Sequence, residues 1–291
     1  MANSRGLAQQ SYFNALMNEQ PKLRPSASKL AYLPGAESMT RIDPWWGLVL
    51  LVAVLLVILI TVKTDPFWHI LLFVRDGIIV TVFITAASFI FILIVGMFGG
   101  LGRLSRIPLV HGVATLYVEI VRGIPLLVQL IWWYFAFPVV LQQIGRWLNM
   151  AAIANYQANA IFTAITGLVF CYGAYMSEIY RAGIQSIPKG QVEAARSLGM
   201  TYFQSMRHVI LPQAIRVILP PVGNEFIALL KDSSLVSVVA VADLTRRGRE
   251  FMAVHFNPIE VWTMVALLYL VMTLFSARGV AWIEKKTRFE R

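Results

Sequence analysis

The sequence is built around six long apolar stretches separated by polar connections. They cover Trp45–Val62, Gly77–Gly99, Gly123–Leu141, Ala160–Tyr180, Val217–Val241 and Ile259–Val280. Each contains 18 residues or more, and about 20 residues of helix cross a hydrocarbon core of roughly 30 Å. The apolar positions run continuously instead of alternating, which favours helices over the strands of a closed barrel. The pattern predicts an all-α, polytopic transmembrane helical bundle of about six spans.

The composition also indicates a membrane environment. The 291 residues are 58% hydrophobic and only 14% charged, whereas a soluble globular domain carries about 25% charged residues. Such a small polar surface does not cover a water-soluble particle, so much of the chain must face lipid. In lipid every backbone N–H and C=O needs an internal partner, which again leaves helices as the spanning element.

The distribution of Lys and Arg predicts the orientation of the bundle. An even number of spans places both termini on one side of the membrane. Eighteen of the 25 basic residues fall in the two terminal regions and in the connections between spans two and three and between spans four and five; six fall on the other side. By the positive-inside rule both termini are cytoplasmic, with the Arg246–Arg249 cluster as the exception. We attribute the net charge of +10 to this sorting and expect no nucleic-acid partner.

No arrangement of residues in the chain is typical of an enzyme. The sequence lacks G-x4-G-K-[ST], the usual loop that cradles nucleotide phosphates. Its four histidines are scattered and lack metal-ligand spacing. Cys171 is the single cysteine, so no disulfide can form within the chain. We therefore expect no catalytic residue, no metal site and no enzymatic activity.

The connection between spans four and five, residues 186–212, has the pattern of a helix–turn–helix. The segment Gln191–Leu198 is rich in helix formers, and Gly199 supplies a left-handed stop. Thr201 with Gln204 three residues later forms the capping box of a second helix. On this orientation the hairpin projects into the cytoplasm. The residues alone leave open whether it docks a partner or is an ordinary ordered loop.

The second helix of this connection carries two further expectations. Phe203, Met206 and Ile210 lie at helical spacing and are expected on one face. Pro212 is expected to end or kink the helix.

The same connection resembles a known motif. Glu193-Ala194-Ala195, then Gly199, then Val209-Ile210-Leu211-Pro212 is similar to the E-A-A loop of the membrane subunits of bacterial ATP-binding-cassette importers. The usual pattern ends Ile-x-Leu-Pro, and Val209 is a conservative departure from it. Four further blocks resemble the polar amino-acid permeases of that class: residues 117–130, 177–183, 220–227 and 230–235. The resemblance covers roughly residues 75–280.

The resemblance implies a function and a set of partners. In that family two membrane subunits, identical or homologous, pair in the bacterial cytoplasmic (inner) membrane, and each E-A-A loop sits in a groove of an ATPase subunit dimer. The ATPase binds the ATP, so this chain has no cofactor of its own, and an extracytoplasmic binding protein delivers the amino acid. The coupling residues that it implies are Glu193, Ala194, Ala195 and Gly199. The alternatives are a secondary transporter or channel that works without a motor, and a membrane scaffold.

The resemblance also divides the chain. We expect residues 1–44 to be a largely irregular cytoplasmic tail and residues 45–74 to be an additional first span with an external loop. Residues 75–291 then form the transmembrane permease domain, with the coupling loop at about 186–212.

Polar residues inside the spans are the candidates for the substrate pathway, because ionisable groups are costly in lipid. They are Gln129 in the third span and Asn224, Glu225, Lys231 and Asp232 in the fifth. A pathway lined by both positively and negatively charged groups suits a zwitterionic amino acid. The alternative is a pair such as Lys231 with Asp232 that only holds the bundle together. Prolines near the starts of these spans are expected to break the helices: Pro125, Pro220 and Pro221.

Four charged residues lie near the cytoplasmic ends of the spans: Glu119, Arg122, Glu178 and Arg181. For these we expect structural pairing or snorkelling towards the membrane surface.

Overall fold

A computed structural model describes residues 44–287. The predicted tail, 1–44, lies outside the described residues except for Pro44. Contacts divide the chain into residues 1–48 and residues 49–291. The helices are α1 (Pro44–Val62), α2 (Thr64–Arg103), α3 (Pro108–Gly123), α4 (Leu126–Trp147), α5 (Ala151–Ala154), α6 (Ala160–Gln185), α7 (Lys189–Ser197), α8 (Tyr202–Ser205), α9 (Leu211–Asp232), α10 (Leu244–His255) and α11 (Pro258–Thr287). Two π turns, Trp132–Ala136 and Met206–Ile210, and a 3-10 helix, Ser233–Val239, complete them. No strand occurs within residues 44–287.

Five of these helices are long and apolar enough to cross a membrane: α1, α2, α4, α6 and α11. The prediction of an all-α polytopic membrane protein is therefore confirmed. The fifth predicted stretch, Val217–Val241, is not one continuous helix. Its helix α9 ends at Asp232 and gives way to the 3-10 helix, after which Ala240 adopts a left-handed conformation with φ of 63°.

Helix α2 is longer than the second apolar stretch and includes most of the residues that we placed in an external loop. Its 40 residues begin at Thr64. Phe67, Ile70 and Val74 are buried, at the i, i+3 and i+4 spacing of one helical face. They pack with residues of α10 and α11 in one apolar cluster. Charged residues interrupt this amphipathic extension in the sequence, and the predicted apolar stretch therefore begins only at Gly77.

The central core lies between α2 and α6, which pack closely along much of their length. A Cβ atom added at Gly100 would lie 2.9 Å from the Ser177 carbonyl oxygen and from the Tyr180 Cβ atom. Small residues allow such approach of two helix backbones in a membrane. Ile84 and Ile92 from α2 and Leu168 and Met176 from α6 are fully buried there.

The prolines behave differently in the two predicted breaks. The chain is extended at Ile124 and Pro125, so α3 and α4 are separated there as expected. Pro220 and Pro221, by contrast, lie inside α9 without ending it. Proline has no N–H to donate to the carbonyl four residues earlier, which here belongs to Arg216 or Val217, and both of these residues are exposed. The expectation of a break at 220–221 was therefore wrong.

Candidate functional site

The hairpin between α6 and α9 has the local structure that its sequence predicts. Helix α7 ends at Ser197, and Gly199 is left-handed with φ of 79°. The Gly199 N–H donates to the Arg196 carbonyl at 2.9 Å, which closes the turn. The Gln204 N–H donates to Thr201 Oγ1 at 3.3 Å, and the Thr201 N–H donates to Gln204 Oε1 at 2.9 Å. The capping box is confirmed.

The four predicted coupling residues occupy different environments within this hairpin. Ala195 is buried, so its small side chain serves the packing of α7. Glu193 and Ala194 are exposed. Gly199 is exposed too, and a Cβ atom there would meet nothing within 4 Å. The constraint on Gly199 is therefore its backbone conformation and not the space around it.

Sequence reasoning missed an apolar surface on the same hairpin. Leu198, Tyr202 and Phe203 are 80%, 60% and 70% exposed and flank the Gly199 turn. The predicted common face of Phe203, Met206 and Ile210 does not form, because Ile210 is buried and Phe203 is exposed. The π turn at Met206–Ile210 follows Phe203 and widens the helix, so Ile210 no longer points in the direction that α-helical spacing predicts. The signal in the sequence was three large apolar residues beside a glycine turn in a segment predicted to face water.

The second arm of the hairpin continues directly into α9. Helical backbone runs from Tyr202 to Asp232 through the π turn, with no break at Pro212. The expectation that Pro212 ends the helix was therefore wrong. A π turn just before a proline widens the backbone where the ring would otherwise clash with the carbonyl four residues back. The hairpin arm and α9 are therefore one continuous helical element.

The polar residues of the predicted pathway separate into two groups. Gln129 is buried, and its Nε2 donates to the carbonyl oxygens of Val121 and Ile124, both at 2.8 Å. Both carbonyls lie at the end of α3, where no further turn of this helix supplies the usual N–H donor four residues later. Gln129 thus donates hydrogen bonds to the carbonyl groups at the break between α3 and α4.

This role of Gln129 makes a prediction for stability. Gln129→Leu removes the donor of the Ile124 carbonyl and leaves the Val121 carbonyl with only the long bond from the Ile124 N–H, at 3.4 Å, which together cost about 2 kcal/mol. We expect a clearly lower thermal unfolding midpoint in detergent. Gln143→Leu is the matched control, since Gln143 is exposed on α4. Equal midpoints for the two variants would contradict the role assigned to Gln129.

The remaining four residues lie on α9. Asn224 and Lys231 are exposed, and Glu225 and Asp232 are half-buried. The Lys231–Asp232 pair that the sequence suggested does not form, because adjacent helical residues point in different directions. Asp232 instead accepts a hydrogen bond from the Tyr172 hydroxyl of α6 at 2.7 Å. The outer part of α9 therefore carries the Asp232 carboxylate, bonded to a tyrosine, and the exposed Lys231 ammonium.

The charged residues at the cytoplasmic ends form a network, as expected. The Glu178 carboxylate accepts from Arg103 at 2.5 Å and also pairs with Arg181. Glu119 lies 3.4 Å from Arg103. The Arg122 guanidinium lies over the Tyr175 ring, 5.2 Å from its centroid. Arg103 is the centre of this network, which ties α2, α3 and α6 together.

The arginine cluster on the opposite side is largely neutralised within the chain. Arg246 Nε donates to Glu250 at 2.9 Å, and Arg247 bridges Glu250 and Asp76. Arg249 Nη2 donates to the Ser237 hydroxyl at 3.0 Å. Two of the three positive charges are therefore paired, which explains how they are accommodated against the positive-inside rule.

This cluster makes stability depend on pH. The hydrogen bond from Arg246, followed by that from Arg247, holds the pKa of Glu250 below its ordinary value. A depressed carboxyl pKa stabilises the folded state above the unfolded pKa of about 4.3, and this contribution is lost as pH falls through the folded value. We expect the thermal midpoint of the wild type to exceed that of Glu250→Gln at neutral pH and to converge with it in acid. A constant difference across this range would contradict the assignment.

The fold defines a class, the multi-pass helical membrane proteins, and the hairpin between α6 and α9 distinguishes this member of the class. The chain belongs to the family described as binding-protein-dependent transport system inner membrane component, which matches residues 92–289. The resemblance seen in the sequence is thereby confirmed. The match begins within α2 and leaves α1 outside it.

Individual relatives agree with this membership. The glutamine transport system permease protein GlnP of Escherichia coli (strain K12) is 37% identical over 182 residues, covering 62% of this chain and 78% of the relative. The L-cystine transport system permease protein TcyB of Bacillus subtilis (strain 168) is 37% identical over 214 residues, covering 70% of this chain and 86% of the relative.

Solved structures show the same fold. One described as "Crystal structure of an amino acid ABC transporter with histidines" has a TM-score of 0.66 and 38% identity, covering 78% of this chain and 97% of that chain. An inward-facing MetNI methionine ABC transporter structure, at 20% identity, has a TM-score of 0.60 and covers 77% of this chain and 99% of that chain.

Proposed function

We propose that this chain is the transmembrane pore subunit of an ATP-driven amino-acid importer and couples ATP hydrolysis on a separate ATPase subunit to alternating access. The observation that carries the proposal is the continuity of the cytoplasmic hairpin with α9. Because the docking element and α9 form one continuous helix, a displacement of the docking element is transmitted to α9. No flexible joint between them absorbs the movement. The ATP is bound by the partner ATPase, and this chain needs no cofactor.

The hairpin offers a surface that fits such a partner. Leu198, Tyr202 and Phe203 expose apolar side chains to water beside the Gly199 turn. Exposed apolar patches rimmed by polar residues mark protein interaction sites, and burying them in a groove is favourable. In this arrangement Glu193 lies at the rim, and Ala194 permits close approach of the partner's surface.

The displacement is carried along one continuous helix. The helix from Tyr202 to Asp232 is about 45 Å long at 1.5 Å per residue, enough to reach from the cytoplasm through the bilayer. Its outer end carries Asp232 and leads into the 3-10 helix. Tilting of the hairpin therefore moves the polar residues of α9 relative to Tyr172 on α6. Alternating access is largely rigid-body rocking of this kind around a fixed site.

An amino acid is the substrate class that the polar groups of α9 suit. Lys231 presents an ammonium for a carboxylate, and Glu225 and Asp232 present carboxylates for an ammonium. The names of the relatives, which include glutamine, arginine and L-cystine transport permeases, support this class. The importer also requires a second permease subunit, identical or homologous, and an extracytoplasmic binding protein.

We assign the parts of the chain accordingly. Residues 75–291 form the permease domain, and α1 is an additional span whose apolar side chains are mostly exposed, as suits a helix facing lipid.

The test is reconstitution in vesicles. The chain is co-purified with its ATPase, inserted with a second pore subunit and the binding protein, and assayed for ATP-driven uptake of labelled common amino acids. We expect uptake of at least one amino acid that stops when ATP is replaced by a non-hydrolysable analogue. No uptake of any amino acid by an assembly that hydrolyses ATP would overturn the substrate class.

The alternative function is a secondary transporter or channel that works without a motor. Vesicles that contain the purified chain alone, with an imposed ion gradient, distinguish it. We expect no uptake under these conditions. Gradient-driven uptake in the absence of the ATPase would favour the alternative over the proposal.

A further inference from the structure

A polar pocket lies at the cytoplasmic end of the bundle, where α6, α9 and α11 meet. Its volume is about 980 Å³. It is lined by the root of the hairpin at residues 186–188, by residues of α9 and by the last two turns of α11. The pocket is separate from the apolar surface around Gly199 and from the polar residues at the outer end of α9.

Two cations from different helices face this pocket. Arg216 comes from α9 and Lys285 from α11. Gln213 and Ser186 add an amide and a hydroxyl to the lining. Glu284 also lines the pocket, so the formal charge of the lining within residues 44–287 is +1. This charge complements a monoanionic phosphodiester better than a phosphomonoester or free phosphate, which carries about −1.5 to −2.

The lining is also partly apolar. Val217 and Pro220 continue along α9 from Arg216, and Ala281 lies one turn before Lys285 on α11. An inorganic ion gains nothing from such a surface, whereas the glycerol and first methylenes of a lipid are buried by it. The mixture of cations and apolar side chains therefore favours an amphiphile.

The depth of the pocket matches the membrane surface. Trp282 on α11 is 64% exposed, and the Lys286 ammonium lies 5.4 Å from the centroid of its ring. Exposed tryptophans and lysines mark the interface between headgroups and hydrocarbon. These two residues bracket the pocket residues Glu284 and Lys285 along the helix, so the pocket opens at headgroup level.

We propose that this pocket binds the phosphodiester headgroup of an anionic phospholipid from the cytoplasmic leaflet. Basic pockets between membrane helices on the cytoplasmic side recognise such headgroups. The bound lipid joins the root of the hairpin at Ser186 to α9 and α11, so the surrounding membrane stabilises the base of the coupling element. This proposal stands on the pocket and does not require the substrate class proposed above.

The test is native mass spectrometry of the full chain in detergent, titrated with dioleoylphosphatidylglycerol or dioleoylphosphatidylcholine. We expect tighter retention of phosphatidylglycerol by the wild type. Lys285→Gln is expected to weaken it about fivefold, since one basic residue near an anionic surface contributes about that much. Arg106→Gln is the matched control: Arg106 is an exposed cation on the cytoplasmic side and does not line the pocket.

A second variant separates the pocket from surface charge. Ala281→Phe fills the pocket without changing any charge and is expected to reduce phosphatidylglycerol retention as well. If this variant does not fold, Lys285→Gln carries the test, because Lys285 is exposed.

Three results would overturn the proposal. The first is equal retention of the two lipids by the wild type, and the second is equal loss in Arg106→Gln and Lys285→Gln. The third is displacement of phosphatidylglycerol by inorganic phosphate added alone at millimolar concentration, since that would assign the pocket to a free phosphate ion.

Discussion

Replacing Gly199 with valine is expected to reduce substrate-stimulated ATP hydrolysis of the assembled importer about tenfold or more, while the chain still inserts into the membrane. Gly199 has φ of 79°, and a Cβ atom at this position would have no neighbour within 4 Å. The substitution therefore adds no clash and acts through the backbone alone. A β-branched residue in the left-handed region costs on the order of 1–3 kcal/mol. Because about 1.4 kcal/mol is a factor of ten, this strain shifts the turn towards other conformations.

Two companion variants make the result specific. Gly190→Val places the same side chain on the same hairpin, where Gly190 lies in helix α7 and also has no neighbour within 4 Å. We expect it to retain most of the stimulation. Gly199→Asn is expected to fall between wild type and valine, since asparagine tolerates the left-handed region. The measurement is ATPase activity with and without binding protein and substrate, after size-exclusion chromatography verifies assembly.

The outcome separates strain from contact. Full stimulation in Gly199→Val would remove the turn from the coupling mechanism. Equal loss in Gly190→Val would show that bulk anywhere on the hairpin is harmful, and that the conformation of Gly199 has no special importance. Loss in both Gly199→Asn and Gly199→Val to the same extent would point to direct contact between the partner and the glycine backbone.

The features that the sequence predicts well are those that local signals determine. The apolar stretches predict the membrane helices because their length must match the hydrocarbon core. The hairpin follows from Gly199 and from the Thr201–Gln204 capping box, whose chemistry spans only four residues. In such cases the deciding interactions lie within one turn of helix, and no tertiary contact competes with them.

The features that the sequence does not predict depend on distant or compensating groups. Tyr172 pairs with Asp232, 60 residues away, in preference to the adjacent Lys231. Pro212 does not end its helix, because a π turn precedes it. Neither the partner of the half-buried Asp232 carboxylate nor the relief of a proline clash has a local sequence signal, so the sequence did not predict these two features.

The capping of α10 by Asp243 is a further feature that only the structure reveals, although an aspartate directly before a helix was its available signal. Asp243 is fully buried. Its carboxylate accepts from the backbone N–H groups of Thr245 and Arg246, at 3.1 and 3.0 Å, and from the Tyr269 hydroxyl at 3.3 Å. A Cβ atom at Gly77 would lie 2.9 Å from the Asp243 carbonyl carbon, so α2 closes directly over this cap. The cap therefore joins α2, α10 and α11.

Asp243→Ala is expected to cause the largest loss of stability among single substitutions on the extracytoplasmic side. Loss of an N-cap costs about 0.5–2 kcal/mol, and orphaned buried donors cost about 1–3 kcal/mol in addition. Burial raises the pKa of Asp243, and the hydrogen bonds that its carboxylate accepts from the Arg246 and Thr245 N–H groups oppose this rise. A neutral Asn at this position retains an acceptor oxygen and avoids the cost of burying a charge. Asp243→Asn is accordingly expected to lose much less stability than Asp243→Ala.

The measurement is the thermal unfolding midpoint of the full chain in detergent. Asp65→Ala is the matched control, because the Asp65 side chain is 85% exposed and its contact with the His69 ring nitrogen is long at 3.5 Å. We expect the midpoint to fall in the order Asp65→Ala, Asp243→Asn, Asp243→Ala. Since α10 holds the arginine cluster against α2, the alanine variant should also lose the pH-dependent advantage that Glu250 provides. An Asp243→Ala midpoint equal to that of Asp65→Ala would show that α10 is held by its apolar contacts alone and that the buried cap adds nothing.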